Sequence, residues 1–278
     1  MPDAKAQLSD GALLGPPSRA HPADPAPARA GWGTAMLVVI GFWWLATGVL
    51  FAAQRDSATQ RVAFVAAFVL LFVGVGLIIR TRGERSPRAA RVAFVGGSLL
   101  WLWSAAMFYG GWLVGGDPAA ITPPRGFALA LDAMHATAHT ELAGAVLLGL
   151  AAWLVRDAPN RTAFWAFLLF WLAHQIARLN LFLGVPNPGE RFLPDHLAFL
   201  ARYFGPPVIT PLLVLTIVVF TIATVLLVRR ARSAAATPFV RHGSALLALL
   251  AGLVVFEHLV LGISAEVPFW DTFLRIRG

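Results

Sequence analysis

Seven apolar blocks, at residues 32–53, 62–80, 92–114, 127–155, 162–184, 207–228 and 243–264, leave this chain of 278 residues few ways to fold. Each block is near or above the roughly 20 residues that cross a bilayer as a helix. Lipid offers no partner to a backbone N–H or C=O, so a spanning segment must satisfy its own hydrogen bonds. The alternation expected of outer-membrane strands is missing, which excludes a β-barrel. The expected fold is therefore an all-α integral membrane bundle of about seven transmembrane helices. Composition agrees: 58% of residues are hydrophobic and only 13% charged, against about 25% charged in soluble domains.

A formal charge of +8 invites a nucleic-acid reading. The basic residues, however, sit between apolar blocks, and no soluble domain remains to carry a groove. Their distribution instead orients the chain. Fourteen of the 22 Lys and Arg lie on the side of the N-terminus, seven lie on the other side, and Arg178 is inside a span. The side richer in Lys and Arg is expected in the cytoplasm. This predicts a disordered cytoplasmic tail over 1–31, rich in Pro and Ala, a transmembrane domain over 32–264, and a short periplasmic segment over 265–278. The expected location is a bacterial inner or intracytoplasmic membrane. The first apolar block is too long, and begins too late, for a cleaved signal peptide. Absence of cysteine excludes disulfides, thiolate metal sites, iron–sulfur clusters and covalently attached haem. There is no dinucleotide fingerprint, P-loop or helical HExxH.

Polar residues inside three spans are the candidates for function. Span four contains "LDAMHATAHTELAG", with Asp132, His135 and His139 on one face at i, i+3, i+7 and Glu141 elsewhere on the helix. Span five carries His174, Arg178 and Asn180, and span seven carries Glu257 and His258 in "FEHLVLG". Ionisable groups at membrane depth are costly and normally face a bundle interior or a cavity. Two readings follow. In one, Arg178 pairs with Glu257 or Glu141 and the histidines hold helices together. In the other, His135, His139, Glu141, His174, Arg178, Asn180, Glu257 and His258 line a binding site. Within it His135, His139, His174, Glu257 and His258 are candidate ligands for zinc or non-haem iron. A histidine here also suits the magnesium of a bacteriochlorophyll-type pigment. Spans four, five and seven are then expected to be mutual neighbours, with the loop 185–206 as a cap and Asp195 and His196 over its mouth.

Three stretches, "RLNLFLGVPNPGERFLPDHLAFLARYF", "GSALLALLAGLVVFEHLVLGI" and "FWDTFLR", carry a resemblance. Together they resemble the PuhE-like family of photosynthetic complex assembly proteins of purple phototrophic bacteria. The resemblance covers the third span to the end. It implies an inner-membrane assembly factor for a reaction-centre or antenna complex, or for its bacteriochlorophyll supply, acting on pigment or partner helices without turnover. Membrane lipids and reaction-centre or antenna subunits are the implied partners. The alternative is a membrane His/Glu metalloenzyme acting on a pigment, isoprenoid or quinone. A transporter fits less well, since no paired broken helices occur in matching halves. The chain departs from the family pattern in span three, where Ser104 and Ala105 stand at the positions of a His-Glu pair. It departs again in span four, where Thr140 precedes Glu141 and His139 lies one position earlier.

Overall fold

A computed structural model describes residues 31–115, 127–263, 268 and 271–278. Among these, regular structure is helical, and seven helices are long and apolar enough to cross a membrane. They are α1 (Trp32–Ala52), α2 (Ser57–Thr81), α3 (Pro87–Tyr109), α4 (Phe127–Val155), α5 (Thr162–Leu183), α6 (Pro211–Arg232) and α7 (Pro238–Leu261). A short α8 (Asp271–Arg277) follows. The all-α membrane bundle expected from the apolar blocks is thus what the chain forms. The expected tail over 1–31 falls, but for Gly31, outside the described residues.

Helix starts differ from the apolar blocks by about four or five residues at α2, α3, α6 and α7, for one reason. Each start is set by a capping side chain rather than by hydropathy. Asp56 accepts from the backbone N–H groups of Ala58 and Thr59, and Thr59 answers in a capping box. The Thr59 backbone bond, the largest cause, holds the exposed Asp56 carboxyl below its usual range. Ser86, Thr210 and Thr237 cap α3, α6 and α7 in the same manner, each followed by proline at the first helical position. Proline there costs nothing, because its missing N–H would have lacked a helical partner anyway. The polar first turns of α2, α3 and α7 therefore belong to the helix although they fall outside the apolar window. At its other end α3 stops at Tyr109, short of 114, where Gly110 and Gly111 turn the chain and Gly111 takes a φ of 72°.

The bundle is built around α3. In α3 72% of its most apolar window is buried, against 17% in α2 and in α6, so α3 is central and those two are peripheral. Helix α3 packs against α1, α2, α4, α5 and α7, while α6 packs mainly on α7. Glycines permit the closest crossings. Gly74 of α2 and Gly96 of α3 face each other so tightly that a Cβ on either would lie about 3 Å from the other's carbonyl oxygen. On one side of the bundle, buried Asn160 donates to the carbonyls of Thr81 and Ala89, at 3.1 and 3.3 Å. This ties the α4–α5 turn to the α2–α3 turn.

The opposite side carries a roof. After α5 the chain turns at Gly184, whose φ of 122° suits glycine. It then forms two 3-10 segments, Glu190–Phe192 and Asp195–Tyr203, before α6. Asn187 fastens the roof to the end of α7 through its backbone N–H to Leu261 O at 3.0 Å and its side-chain amide to Val260 O. Phe192 stacks on Phe51 of α1, with centroids 5.3 Å apart. Helix α8 clasps the same turn: Arg191 pairs with Asp271 at 3.1 Å, and Arg277 donates to the carbonyls of Arg191 and Phe192. Phe273 of α8 seats against Trp44 of α1.

Candidate site beneath the roof

Beneath the roof, α1, α3, α5 and α7 enclose a cavity of about 250 Å³. Its walls are mainly apolar, and ten of the lining residues are aromatic. Trp101 of α3 and Phe170 of α5 stack with centroids 4.6 Å apart, and Phe51, Phe108 and Tyr109 continue the lining. The roof contributes Pro188, Phe192, Leu193, Leu200 and Phe204. The loop thus caps the cavity with apolar side chains. Asp195 and His196, expected over the mouth, point elsewhere: Asp195 is exposed, and His196 Nε2 meets the carbonyl of Tyr109 at 2.9 Å.

Three ionisable side chains of the candidate set line this apolar space: His174, Arg178 and Glu257. They sit on α5 and α7, where 174 and 178 share a face one turn apart. Glu257 accepts a hydrogen bond from the indole N–H of Trp43 at 2.6 Å. Arg178 is 5% exposed. Its Nη2 pairs with Glu141 of α4 and donates to Gln175, both at 2.5 Å, and its guanidinium lies 5.0 Å from the centre of the Phe108 ring. Of the two carboxylates open to Arg178 in the sequence, Glu141 is the partner. The Nε and Nη1 of Arg178 and the Nε2 of His174 have no hydrogen-bond partner among the described residues. The His174 ring stands edge-on to Phe108 at 5.7 Å.

The other candidates are not brought to this space. His135 and His139 are exposed on the outer side of α4. His135 borders an external groove between α4 and α5, together with Glu141 and Gln175. His258 is fully buried but faces α6: its Nδ1 meets Val254 O at 2.8 Å, and its ring stacks on Phe220. Asn180 is also fully buried and structural in its contacts, donating to Ile176 O and accepting from Thr210 at the cap of α6. The expectation that spans four, five and seven are mutual neighbours needs correction. Helix α5 touches both α4 and α7, but α3 and α5 stand between those two. Accordingly His135, His139, His174, Glu257 and His258 do not form one ligand set. Among the described residues no group of three His, Asp or Glu is placed to hold a metal ion.

Some of this was accessible earlier. The buried stripe of α4 is Ala133, Ala136, Thr137, Thr140, Gly144, Leu147 and Ala151. Small residues at this spacing mark the packed face of a membrane helix, and they point His135 and His139 away from it. Trp43 lies within α1, where an indole N–H needs an acceptor; that requirement is the signal for its pairing with Glu257. Ser104 and Ala105, at the positions of the His-Glu pair in the resembling family, are both buried in α3. The Ser104 hydroxyl has no hydrogen-bond partner among the described residues.

The model of a family described as "Protein of unknown function (DUF3623)" matches residues 30–276. A protein of Rhodobacter capsulatus described as "Uncharacterized 30.4 kDa protein in puhA 5'region" is 32% identical over 231 residues, covering 80% of this chain and 83% of that one. No solved structure matches.

Proposed function

Since the chain belongs to the DUF3623 family over residues 30–276, we propose that it is an inner-membrane assembly factor for a bacterial photosynthetic complex. It acts by holding a lipid-soluble component of that complex beneath the α5–α6 roof, without turnover. The observation that carries this reading is the cavity itself: an apolar, aromatic-walled space inside a membrane bundle, into which His174 and Arg178 bring unpartnered donors. Ligand sites have this character, mostly apolar with a few placed polar groups. The relative's description places its gene in the puhA 5' region, and the resemblance of the loop and α7 motifs is to proteins associated with reaction-centre and bacteriochlorophyll genes. The metalloenzyme alternative draws no support from the scattered histidines. A pigment fits only in part. His174 offers a nitrogen suited to magnesium, but about 250 Å³ lies below the range of ordinary ligand pockets. A four-ring macrocycle needs several times the volume of one ring.

The test is deletion of the gene in a phototrophic host. Membranes of the deletion strain should show at least a severalfold loss of reaction-centre and antenna absorbance. Wild-type protein should restore it, and His174→Phe should restore it poorly while accumulating normally. Absorbance at the wild-type level in the deletion strain would remove the reading.

The orientation belongs to the same proposal. The excess of Lys and Arg on the N-terminal side supports a periplasmic position for α8 and the roof. An alkaline phosphatase fused after α8 should be active, and the same enzyme fused into the α2–α3 turn should be inactive. The reverse pattern would invert the topology.

A further inference from the structure

The aromatic cavity adjoins a second space across α7. A groove of about 300 Å³ runs between α1, α6 and α7, and Leu253 and Phe256 line both. The groove is lined by Trp32 and Ile40 of α1, Thr224 and Val228 of α6, and residues of α7 that include Gly252. Among the described residues that line it, none is ionisable. Phe256, at the junction, is partly exposed on the outer surface of the bundle. The molecule therefore presents a small apolar chamber with hydrogen-bond donors and, beside it, a groove whose lining among the described residues is uncharged, the two meeting at Leu253 and Phe256.

The donors define the head of what fits. Arg178 Nε and Nη1 ask for acceptor oxygens, since buried donors without partners are costly, and His174 Nε2 does the same in the tautomer that carries its proton there. The charge of Arg178 is already matched by Glu141, and Glu257 lines the same chamber. Because the Arg178–Glu141 pair is already neutral, a carboxylate or phosphate would bring an uncompensated negative charge into a medium of low dielectric. A neutral carbonyl satisfies the donors without that penalty. The stacked Trp101 and Phe170 walls favour a flat ring, and the volume admits one ring. The uncharged groove accepts a hydrocarbon tail.

We propose that this protein binds a neutral, carbonyl-bearing, single-ring lipid of the prenylquinone class. The ring occupies the aromatic cavity against Arg178 and His174, and the tail lies in the groove between α1, α6 and α7. This rests on the reading of the cavity as the place where a lipid-soluble component is held, and it names that component's class.

The experiment is titration calorimetry of the detergent-purified protein. The probes are a dimethoxy-methyl-benzoquinone bearing a long alkyl tail, the same ring without a tail, palmitate, and a magnesium chlorin. The tailed quinone should bind at least tenfold more tightly than the tail-less ring and than palmitate. Gly252→Leu adds a side chain where a Cβ would meet only Thr224, at an ordinary 3.8 Å. Its Cβ is accommodated and the rest of the side chain occupies the groove, which should bring the tailed quinone down to the affinity of the bare ring. His174→Phe should weaken the tailed quinone at least tenfold. The proposal is overturned if wild type does not bind the tailed quinone, if palmitate or the chlorin binds as well, or if Gly252→Leu leaves the advantage of the tail intact. Those outcomes concern ligand class alone. An assembly defect in the deletion strain together with no quinone binding would sink this inference and leave the assembly reading standing.

Discussion

Glu141→Leu should be the most damaging single substitution in the spans, costing about 3–5 kcal/mol, the usual result of stripping one partner from a buried ion pair. Arg178 remains behind, 5% exposed, with a charge that Glu141 alone neutralises among the described carboxylates within ion-pair distance. Folded protein should largely vanish from size-exclusion profiles in detergent. Two comparisons make the result specific. Glu141→Leu combined with Arg178→Leu should recover most of the folded fraction, since removing both charges is often neutral. Glu257→Leu should cost only about 1 kcal/mol, the worth of one ordinary hydrogen bond from Trp43. If Glu257→Leu proves the worse of the two single variants, the pairing of Arg178 with Glu141 is not what holds the site.

The second large effect is expected at Gly97. This residue lies on the face of α3 that crosses α5, and a Cβ there would overlap the backbone carbonyl of Ala163. Backbone cannot swing aside as a flexible side chain does. Gly97→Leu should therefore separate α3 from α5 at their crossing, at a cost of about 3 kcal/mol or more, the upper end of overpacking penalties. Because both helices wall the cavity, the midpoint of thermal unfolding in detergent should fall sharply and quinone binding should fall with it. Gly76→Leu on α2 is the control, since a Cβ there meets nothing within 4 Å. Equal loss from both would mean that bulk, not the crossing, is responsible.

How much of this could be read from the letters divides along a physical line. Number and type of spans follow from the length and apolarity of the blocks, because lipid imposes one solution on the backbone. Rotation about each helix axis does not follow so directly. In water a polar stripe marks the outside. In a membrane both faces of α4 are apolar enough, and the histidines at 135 and 139 look like interior residues until the run of small residues is given priority. On α5 and α7 the rarer groups did identify the cavity: His174, Arg178 and Glu257 line it. His258, adjacent to Glu257, is about 100° around the helix and faces α6, as helical geometry requires. Helix starts were displaced because capping at Asp56, Ser86, Thr210 and Thr237 is a local polar signal that an apolar window averages away.

The clasp made by α8 has a consequence for the order in which the molecule is completed. Asp271 and Arg277 hold a turn that lies 80 to 86 residues earlier in the chain. At a synthesis rate of roughly 5–20 residues per second, the roof segment leaves the ribosome roughly 4–17 seconds before its fastener exists. During that interval α6 and α7 are still being made, so one wall of the cavity and the whole of the tail groove are also missing. A bulky guest can enter such a half-built chamber sideways from the bilayer. Once α8 has docked, the Arg191–Asp271 contact and the two carbonyl bonds of Arg277 hold the roof over the cavity. The chamber is therefore more open to the bilayer while the chain is being made than it is afterwards.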